Sequence, residues 1–278
     1  MNFTWSPEEE PTPQPITVMG WLRVALRGGS LAFLVTLGVV AMALIRLIER
    51  PLHGVHRPWT PWITQLVCRG AFAVLGMRHE TQGERMTQPG AVVANHASWL
   101  DIFSLNARKR IYFVSKSEVA GWPGIGLLAK ITGTVFIARD RKQAKKQQAV
   151  FEERLLAGHK LLFFPEGTST DGLRVLPFKS TLFQAFFTPD LRHELFIQPV
   201  TVIYTAPKGE DARFYGWWGD MDFGSHLVRT LAVRRHGAVK VVYHQPVKVD
   251  SFANRKALAA HVEDMVRRGM PSERQIAG

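Results

Sequence analysis

A histidine and an aspartate stand five residues apart in the run from Ala94 to Asp101. The stretch before them, residues 91–94, is apolar and predicts a buried strand. A carboxylate that accepts a hydrogen bond from one imidazole nitrogen leaves the other nitrogen free to take a proton. His96 and Asp101 are therefore a candidate general base and the group that orients it.

Ser98 lies between these two residues, so a Ser-His-Asp hydrolase is the first alternative. Three triad members within six residues cannot place the serine beyond the free face of the imidazole. The sequence also contains no Gly-x-Ser-x-Gly elbow. Both observations argue against a serine hydrolase.

A second unusual stretch, residues 163–170, follows a strand predicted over residues 160–164. Ligand sites of α/β proteins lie at the carboxyl ends of strands. Glu166 could hold a polar headgroup or fix the loop, and Gly167 lets the backbone approach a ligand closely. The Thr168 hydroxyl can donate a hydrogen bond to an anion.

Two further basic residues follow apolar segments. The strand predicted over residues 133–138 is followed by Arg139, which could grip a phosphate or carboxylate through two parallel hydrogen bonds or pair on the surface with a neighbouring acid. Lys179 comes directly after Phe178. A strand beginning near Gln198-Pro199 completes the set of candidate blocks.

Alternating strands and helices must position these residues. The predicted strands cover residues 91–94, 111–114, 133–138, 160–164, 196–204 and 239–244. The predicted helices cover residues 99–107, 141–157 and 255–268, with a short helix after the turn at 121–126. This alternation predicts an α/β fold with a mixed, largely parallel sheet flanked by helices.

The N-terminal part has a different character. Residues 1–15 are acidic and proline-rich, which predicts a disordered cap. Residues 28–45 form an uncharged run at the lower length limit for a membrane-spanning helix, and residues 62–77 are amphipathic. We expect a membrane-associated helical hairpin over residues 16–78, which dips into one leaflet or crosses once, and a catalytic domain over residues 79–270. A signal peptide and a buried soluble helix are the alternatives.

Composition limits the function classes. The 278 residues are 46% hydrophobic, which suffices for one sizeable core, and the single cysteine, Cys68, excludes an internal disulfide framework. A net charge of +12 indicates an anionic partner, either a membrane, an anionic co-substrate or nucleic acid. No nucleic-acid-binding module accompanies the charge and no histidines have metal-ligand spacing, so we expect neither nucleic acid nor metal.

The candidate blocks resemble, in order and spacing, the lysophospholipid acyltransferase family, whose members esterify glycerolipid hydroxyls. That family shows His-x-x-x-x-Asp, then Gly-x-x-Phe-Ile-x-Arg, Phe-Pro-Glu-Gly-Thr and a Val/Ile-Pro-Val strand. The matching segments are residues 96–101, 133–139, 164–168 and 198–202. The resemblance covers roughly residues 85–205 and implies a glycerolipid acyltransferase-like fold at the cytoplasmic face of a bacterial inner membrane.

The resemblance also implies a reaction. His96 would take the proton of an acceptor hydroxyl, and Asp101 would orient the imidazole. The hydroxyl would attack the thioester of an acyl-CoA or an acyl carrier protein, with no cofactor beyond this co-substrate. A covalent acyl-enzyme is not needed, which agrees with the lack of a candidate nucleophile.

Five further residues match family positions that bind substrate. Glu166, Gly167 and Thr168 would help to bind the acceptor lipid. Arg139 would bind the acceptor's anionic headgroup or the donor's phosphate, and Lys179 resembles a family lysine near the acceptor site.

One departure bears on the acceptor. Family members acting on lysophosphatidate usually carry an arginine where this chain has Ser169, so a natural phosphate ligand is lost. The bacterial lyso-ornithine lipid acyltransferases are similar in this loop and in residues 214–221, which could instead be a tryptophan-rich membrane-facing loop. We expect a lyso-ornithine or other lyso-aminolipid acceptor, with lysophosphatidate, or a dual range, as the alternative. A lipid-binding or transfer protein without chemistry and a lipid hydrolase are the rival functions.

Overall fold

The computed structural model describes residue 5, residues 15–137 and residues 144–274. Eight α-helices lie in this part of the chain: α1 (Val18–His53), α2 (Thr60–Leu75), α3 (Asp101–Asn106), α4 (Ile125–Thr132), α5 (Ala144–Leu156), α6 (Pro189–Arg192), α7 (Phe223–Ala232) and α8 (Arg255–Arg268). Short 3-10 helices cover Ser117–Gly121, Ser180–Phe187, Val249–Ser251 and Ser272–Arg274.

The described strands form one mixed sheet. They are β1 (Arg78–Gln82), β2 (Gly90–Ala94), β3 (Tyr112–Lys116), β4 (Val135–Ile137), β5 (Leu161–Phe163), β6 (Phe196–Thr205), β7 (Ala238–Tyr243) and β8 (Val247–Lys248). The order is β1-β7-β6-β2-β5-β3-β4, with β8 paired to β6. Strands β6, β2, β5, β3 and β4 run parallel, while β7 and β8 run antiparallel to β6.

The register of the central strands determines which loops meet. All five residues of β2 are buried, as expected for a strand covered on both faces. Val93 of β2 lies opposite Phe163 of β5 on one side and Pro199 of β6 on the other. Because these strands are parallel, the loops that follow β2 and β5 leave the sheet at the same edge. The loop of His96 therefore lies beside the loop of Glu166.

Helices cover both faces of the sheet. Successive side chains of a strand point to opposite faces, so Val93 packs in one core with Phe151 of α5 and Val262 of α8, and Val92 packs in the other with Phe72 of α2. This architecture confirms the expected fold class, a mixed and largely parallel sheet flanked by helices.

The N-terminal helices form the expected hairpin, but α1 is twice as long as the uncharged run. Helix α1 has 36 residues and is about 54 Å long at the helical rise of 1.5 Å per residue. Its most apolar segment of 18 residues has a mean hydropathy of 2.5, and 11% of that segment is buried. By length and composition α1 could cross a membrane. Its large apolar side chains are mostly exposed, a surface typical of contact with lipid. Examples more than half exposed are Leu22, Leu26, Phe33, Leu37, Leu44 and Leu47.

Glu49 fastens α1 to the start of α2. Its side chain is fully buried, and Oε1 accepts hydrogen bonds from the backbone N–H groups of Trp59 (2.7 Å) and Thr60 (3.0 Å). Oε2 accepts from the Thr60 hydroxyl at 2.7 Å and from Arg46 at 3.0 Å. A carboxylate at a helix N-terminus satisfies free N–H donors there and interacts favourably with the helix dipole. This one side chain therefore links the C-terminal part of α1 to the start of α2.

Replacing Glu49 by alanine is expected to destabilise the hairpin. Because two backbone donors and Arg46 lose their acceptor in a buried place, we expect the free energy of unfolding to fall by about 2–3 kcal/mol. Thermal unfolding in detergent micelles should show a midpoint lower by roughly 5–10 °C. The matched control, Glu80→Ala, removes an exposed carboxylate 3.7 Å from Arg78 and should move the midpoint little. Equal shifts in the two variants would contradict this role of Glu49.

Several elements were not predicted from the sequence. Strand β1 reads Arg-His-Glu-Thr-Gln and is largely exposed, so it lacks the apolar alternation of the other strands. Strand β8 has only two residues. Helix α7 begins two residues after the tryptophan-rich run 214–221, where no helix was predicted. Helix α8 matches its predicted bounds. The predicted start of α5, residues 141–143, and most of the predicted cap at 1–15 lie outside the described residues.

Candidate active site

The His96 imidazole and the Asp101 carboxylate are hydrogen-bonded at the end of β2. His96 Nδ1 lies 2.7 Å from Asp101 Oδ2. Asp101 opens α3, and His96 lies in the short loop between β2 and that helix, so the pairing is local. Because a carboxylate can only accept, we assign the imidazole proton to Nδ1, which leaves Nε2 as the unprotonated nitrogen of the neutral ring.

Three other donors hold the Asp101 carboxylate in place. Oδ2 accepts from the backbone N–H groups of Ala97 (2.9 Å) and Ser98 (3.1 Å), and Oδ1 accepts from the Tyr204 hydroxyl at 2.7 Å. The carboxylate is fully buried. Burial, together with the charge of Asp101, raises the pKa of Tyr204 well above its usual value, so Tyr204 remains a donor. Asp101 is therefore fixed before any substrate arrives.

The His96 ring is held between this carboxylate and an aromatic side chain. It stacks on Phe164 with 4.0 Å between ring centroids and an angle of 9° between the planes. The His96 side chain is 21% exposed, and within the described part of the chain its Nε2 has no hydrogen-bond partner. This nitrogen is therefore available to a hydroxyl group that enters from outside.

The buried Glu166 carboxylate accepts hydrogen bonds from two backbone N–H groups, one of which belongs to His96. Its Oε2 accepts from the His96 N–H at 2.7 Å, and its Oε1 accepts from the Leu176 N–H at 2.8 Å. Burial raises the pKa of Glu166 to about 8, the charge of Asp101 adds to the rise, and the two N–H donors oppose it. Of the two roles considered for this residue, the geometry favours fixing the loop over holding a headgroup.

The three other described binding candidates lie in or beside this loop. Gly167 has a φ of +73°, a conformation that glycine adopts readily, and an added Cβ would lie 2.6 Å from the Lys179 Nζ. Lys179 is exposed, and its backbone N–H donates to Pro165 O at 2.9 Å. Thr168 is half-buried beside them. The Lys179 ammonium group thus lies close to Gly167, whereas the Thr168 hydroxyl donates to Ser169 O at 3.3 Å and accepts from the Trp5 N–H at 3.5 Å. The fourth candidate, Arg139, lies outside the described residues.

Asn95 and Thr170 also hold the His96 loop, a role that was not predicted for either residue from the sequence. Asn95 exchanges two hydrogen bonds with the backbone of Val202, at 3.0 and 2.8 Å. The Thr170 N–H donates to His96 O at 2.9 Å. Tyr204 was likewise not assigned, although its place at the end of a predicted strand was the available signal.

Residues 214–221 pack against the His96 loop and are mostly buried or half-buried. Trp218 is 1% exposed, and the backbone N–H of Trp217 donates to Ala97 O at 2.9 Å. The Trp99 indole donates to Nδ1 of His226 on α7 at 2.9 Å, and burial lowers the pKa of His226 to about 4, so that ring is neutral and accepts. The tryptophan-rich run is therefore largely interior, not a membrane-facing loop.

Ser98 does not complete a catalytic triad. Its side chain is fully buried, and its hydroxyl accepts from the Leu100 N–H at 3.3 Å. Among the described residues, no group of three or more His, Cys, Asp or Glu side chains is placed to hold a metal ion. The arrangement is suited to taking a proton from a hydroxyl at His96 Nε2, with Asp101 stabilising the imidazolium that forms.

Comparisons with known proteins agree with this geometry. The family model described as Acyltransferase matches residues 78–203. A lyso-ornithine lipid O-acyltransferase of Rhodobacter capsulatus is 59% identical over 266 residues, which are 96% of this chain and 96% of that protein. A 1-acyl-sn-glycerol-3-phosphate acyltransferase of Neisseria gonorrhoeae is 38% identical over 75% of this chain and 81% of its own length.

A solved structure has the same fold. The crystal structure of the 1-acyl-sn-glycerophosphate acyltransferase of Thermotoga maritima superposes with a TM-score of 0.62 and 22% identity, over 90% of this chain and 95% of that one. The solved structure shows the fold alone. The sequence relatives also show the family, because the identity to the Rhodobacter protein extends over nearly the whole chain. This chain belongs to the acyltransferase family and is an acyltransferase enzyme.

Proposed function

We propose that the chain transfers a fatty acyl group from an acyl thioester to the free hydroxyl of a one-chain lipid. One observation carries the proposal: His96 Nδ1 is hydrogen-bonded to Asp101, while the side chain is 21% exposed and its Nε2 has no hydrogen-bond partner among the described residues. The acceptor oxygen would attack the thioester carbonyl as its proton passes to Nε2. The thiolate would then leave and take that proton from the imidazolium, which restores the neutral histidine.

The acceptor that we propose is lyso-ornithine lipid. The protein named as its acyltransferase in Rhodobacter capsulatus is 59% identical to this chain, and relatives with the same name in Brucella abortus and Rhizobium meliloti are 35% and 33% identical. An ornithine headgroup carries a carboxylate and an amine in place of a phosphate, in agreement with Ser169 at the position of the phosphate-binding arginine. Lys179, exposed beside Gly167, would bind the headgroup carboxylate.

The donor and the location follow from where acyl thioesters are made. Acyl carrier protein or CoA would deliver the chain from the cytoplasm, so the catalytic face would lie at the cytoplasmic side of a bacterial inner membrane. The exposed apolar surface of α1 associates the chain with that membrane and keeps the acceptor within reach. No cofactor beyond the thioester is required.

Offering two acceptors side by side tests the proposal. Purified protein with a labelled acyl thioester, on acyl carrier protein or on CoA, should acylate lyso-ornithine lipid with a kcat/KM at least about tenfold above that for lysophosphatidate, a difference of roughly 1.4 kcal/mol. Ser169→Arg adds a guanidinium beside the acceptor and should narrow this ratio by favouring the phosphate. Ser169→Ala is the matched control and should leave the ratio nearly unchanged.

The products distinguish the rival functions. Preference of the unmodified protein for lysophosphatidate would reject the proposed acceptor and retain the reaction. Release of free fatty acid without an acceptor would indicate a hydrolase. Lipid binding without any acylated product would indicate a lipid-binding protein.

A further inference from the structure

A strongly basic cavity lies at the C-terminal end of α1, far along the sheet from the histidine. Its volume is about 690 Å³, within the usual range for a ligand site. Five cationic side chains line it, and none of its described lining residues is a carboxylate. They are Arg46, Arg50, Arg57, Lys130 and Arg154.

The cavity is separate from the proposed acyl-transfer site. Lys130 lies near the end of α4, just before β4, and Arg154 lies near the end of α5, just before β5. His96 instead follows the parallel strand β2. The cavity is therefore at the edge where these strands begin, and His96 is at the edge where they end, roughly 15 Å away at 3.3 Å per strand residue.

Two of the cations donate to backbone carbonyls and have no ion-pair partner among residues 15–137 and 144–274. Arg57 donates to Ile131 O at 3.0 Å and Arg154 donates to Gly133 O at 3.1 Å. Both guanidinium groups also face the ring of Tyr112, at 6.0 and 4.6 Å from its centroid. Burial lowers the pKa of Arg57, and the positive charges of Arg46 and Arg154 lower it further. An anion bound among these groups would relieve their mutual repulsion.

The nearby carboxylate does not neutralise this charge. Glu49 is fully buried, and its oxygens are occupied by Arg46 and by the N-terminus of α2. It offsets one of the five positive charges, and Glu153, which adjoins Arg154 in the sequence, acts electrostatically on a second. Among the described residues, the cavity consequently retains an excess of cationic groups that a phosphate is suited to bind.

Apolar side chains at the rim indicate the source of the phosphate. Leu47 and Val55 line the cavity and are 73% and 40% exposed. Leu44, Ile48 and Leu52 on the same helix are also exposed. An exposed apolar surface directly beside a cationic cavity is complementary to a lipid, whose charged headgroup adjoins its acyl chains.

We propose that this cavity binds the headgroup phosphate of an anionic membrane phospholipid, at a site distinct from that of the acyl acceptor. The cavity would hold the phosphate between α1, α4 and α5 while the acyl chains lie along the apolar side of α1. Such a site would anchor the C-terminal end of α1 in the headgroup layer and favour membranes rich in anionic lipid. The proposal does not depend on which acceptor is acylated.

Vesicle flotation with a charge-matched control tests this site. Arg50→Gln combined with Lys130→Gln removes two exposed cavity cations. Lys208→Gln combined with Lys256→Gln removes two exposed cations elsewhere. With phosphatidylcholine vesicles that contain phosphatidylglycerol, the cavity pair should lower the partition coefficient at least about tenfold and the control pair no more than about twofold. With phosphatidylcholine alone, all three proteins should bind equally.

The other outcomes would overturn the proposal. Equal losses in the two pairs would indicate diffuse surface charge, and no loss in the cavity pair would exclude the site. Displacement from vesicles by inorganic phosphate at the concentration of the lipid would indicate an anion site without lipid recognition. If the cavity pair weakens CoA binding in detergent and leaves vesicle binding intact, the site serves the acyl donor.

Turnover separates this proposal from the proposed reaction. Neither pair removes a residue of the acyl-transfer site, so both should keep the unmodified rate in neutral detergent micelles. A loss of turnover there together with a lower thermal midpoint would indicate misfolding of the cavity pair. In that case the single variant Lys130→Gln, which changes one exposed residue of α4, replaces the pair. Its partition coefficient for vesicles that contain phosphatidylglycerol should then fall at least about threefold, and a smaller fall would overturn the proposal.

Discussion

Replacing His96 by alanine is expected to lower kcat by about 10³-fold, the largest effect of any substitution considered in this chain. The acceptor hydroxyl would lose the nitrogen that takes its proton, and water is a poor substitute as a base at neutral pH. Lysolipid binding should persist, because the backbone of the His96 loop is held without the ring. The His96 N–H donates to the Glu166 carboxylate, His96 O accepts from the Thr170 N–H, and the Asn95 side chain is bonded to the backbone of Val202. Initial rates with the labelled thioester would measure the loss.

A second histidine provides the control. His261 on α8 is exposed, and His261→Ala should retain the unmodified rate. If His96→Ala turned over as fast as this control, another group would have to act as the base and the proposed mechanism would be rejected. A parallel loss of lysolipid binding in His96→Ala would instead show that the ring serves binding.

Replacing Asp101 by asparagine is expected to lower kcat by about 100-fold with little change in fold. The amide oxygen can accept from His96 Nδ1 and the two backbone donors that meet Oδ2, and the amide NH₂ can donate to the Tyr204 oxygen after its hydroxyl rotates. The geometry and the tautomer would therefore persist. The variant loses the negative charge that stabilises the imidazolium, and a charged hydrogen bond contributes roughly 1.5–3 kcal/mol.

Asp264→Asn is the corresponding control, because Asp264 pairs with Arg268 on the surface of α8 and is 47% exposed. It should retain full activity. The thermal midpoints of both variants should stay within a few degrees of the unmodified protein. If kcat of Asp101→Asn were lower by less than about twofold, the carboxylate would only orient the ring, and its charge would take no part in the reaction.

Local patterns in the sequence were sufficient for much of the fold. The strands at the centre of the sheet are apolar runs bounded by turns, and all of them were predicted within a few residues. The polar strand β1 and helix α7 were not. Strand β1 forms because its backbone pairs with β7, from Arg78 opposite Ala238 to Gln82 opposite Val242. Such pairing depends on a partner about 160 residues away, so the sequence of β1 gives no sign of it.

The sequence also predicted that His96 and Asp101 form a pair in the candidate site, but it predicted less of what each residue contacts. Histidine and aspartate five residues apart can meet only through the turn between them, so their pairing was predictable. Glu166 was predicted from its loop, and the choice between binding a headgroup and fixing the loop needed its contacts with the backbone of His96 and Leu176.

By itself the sequence determined the family and the succession of central strands and helices along the chain, and it supplied a candidate pair of side chains for proton transfer. The tertiary structure decided that Tyr204 closes on Asp101 and that cations from α1, α4 and α5 share one cavity. The reason is physical. A contact within one turn is set by local backbone geometry, whereas a contact such as that between Tyr204 and Asp101, which are 103 residues apart, exists only after the whole core has packed and paired its strands.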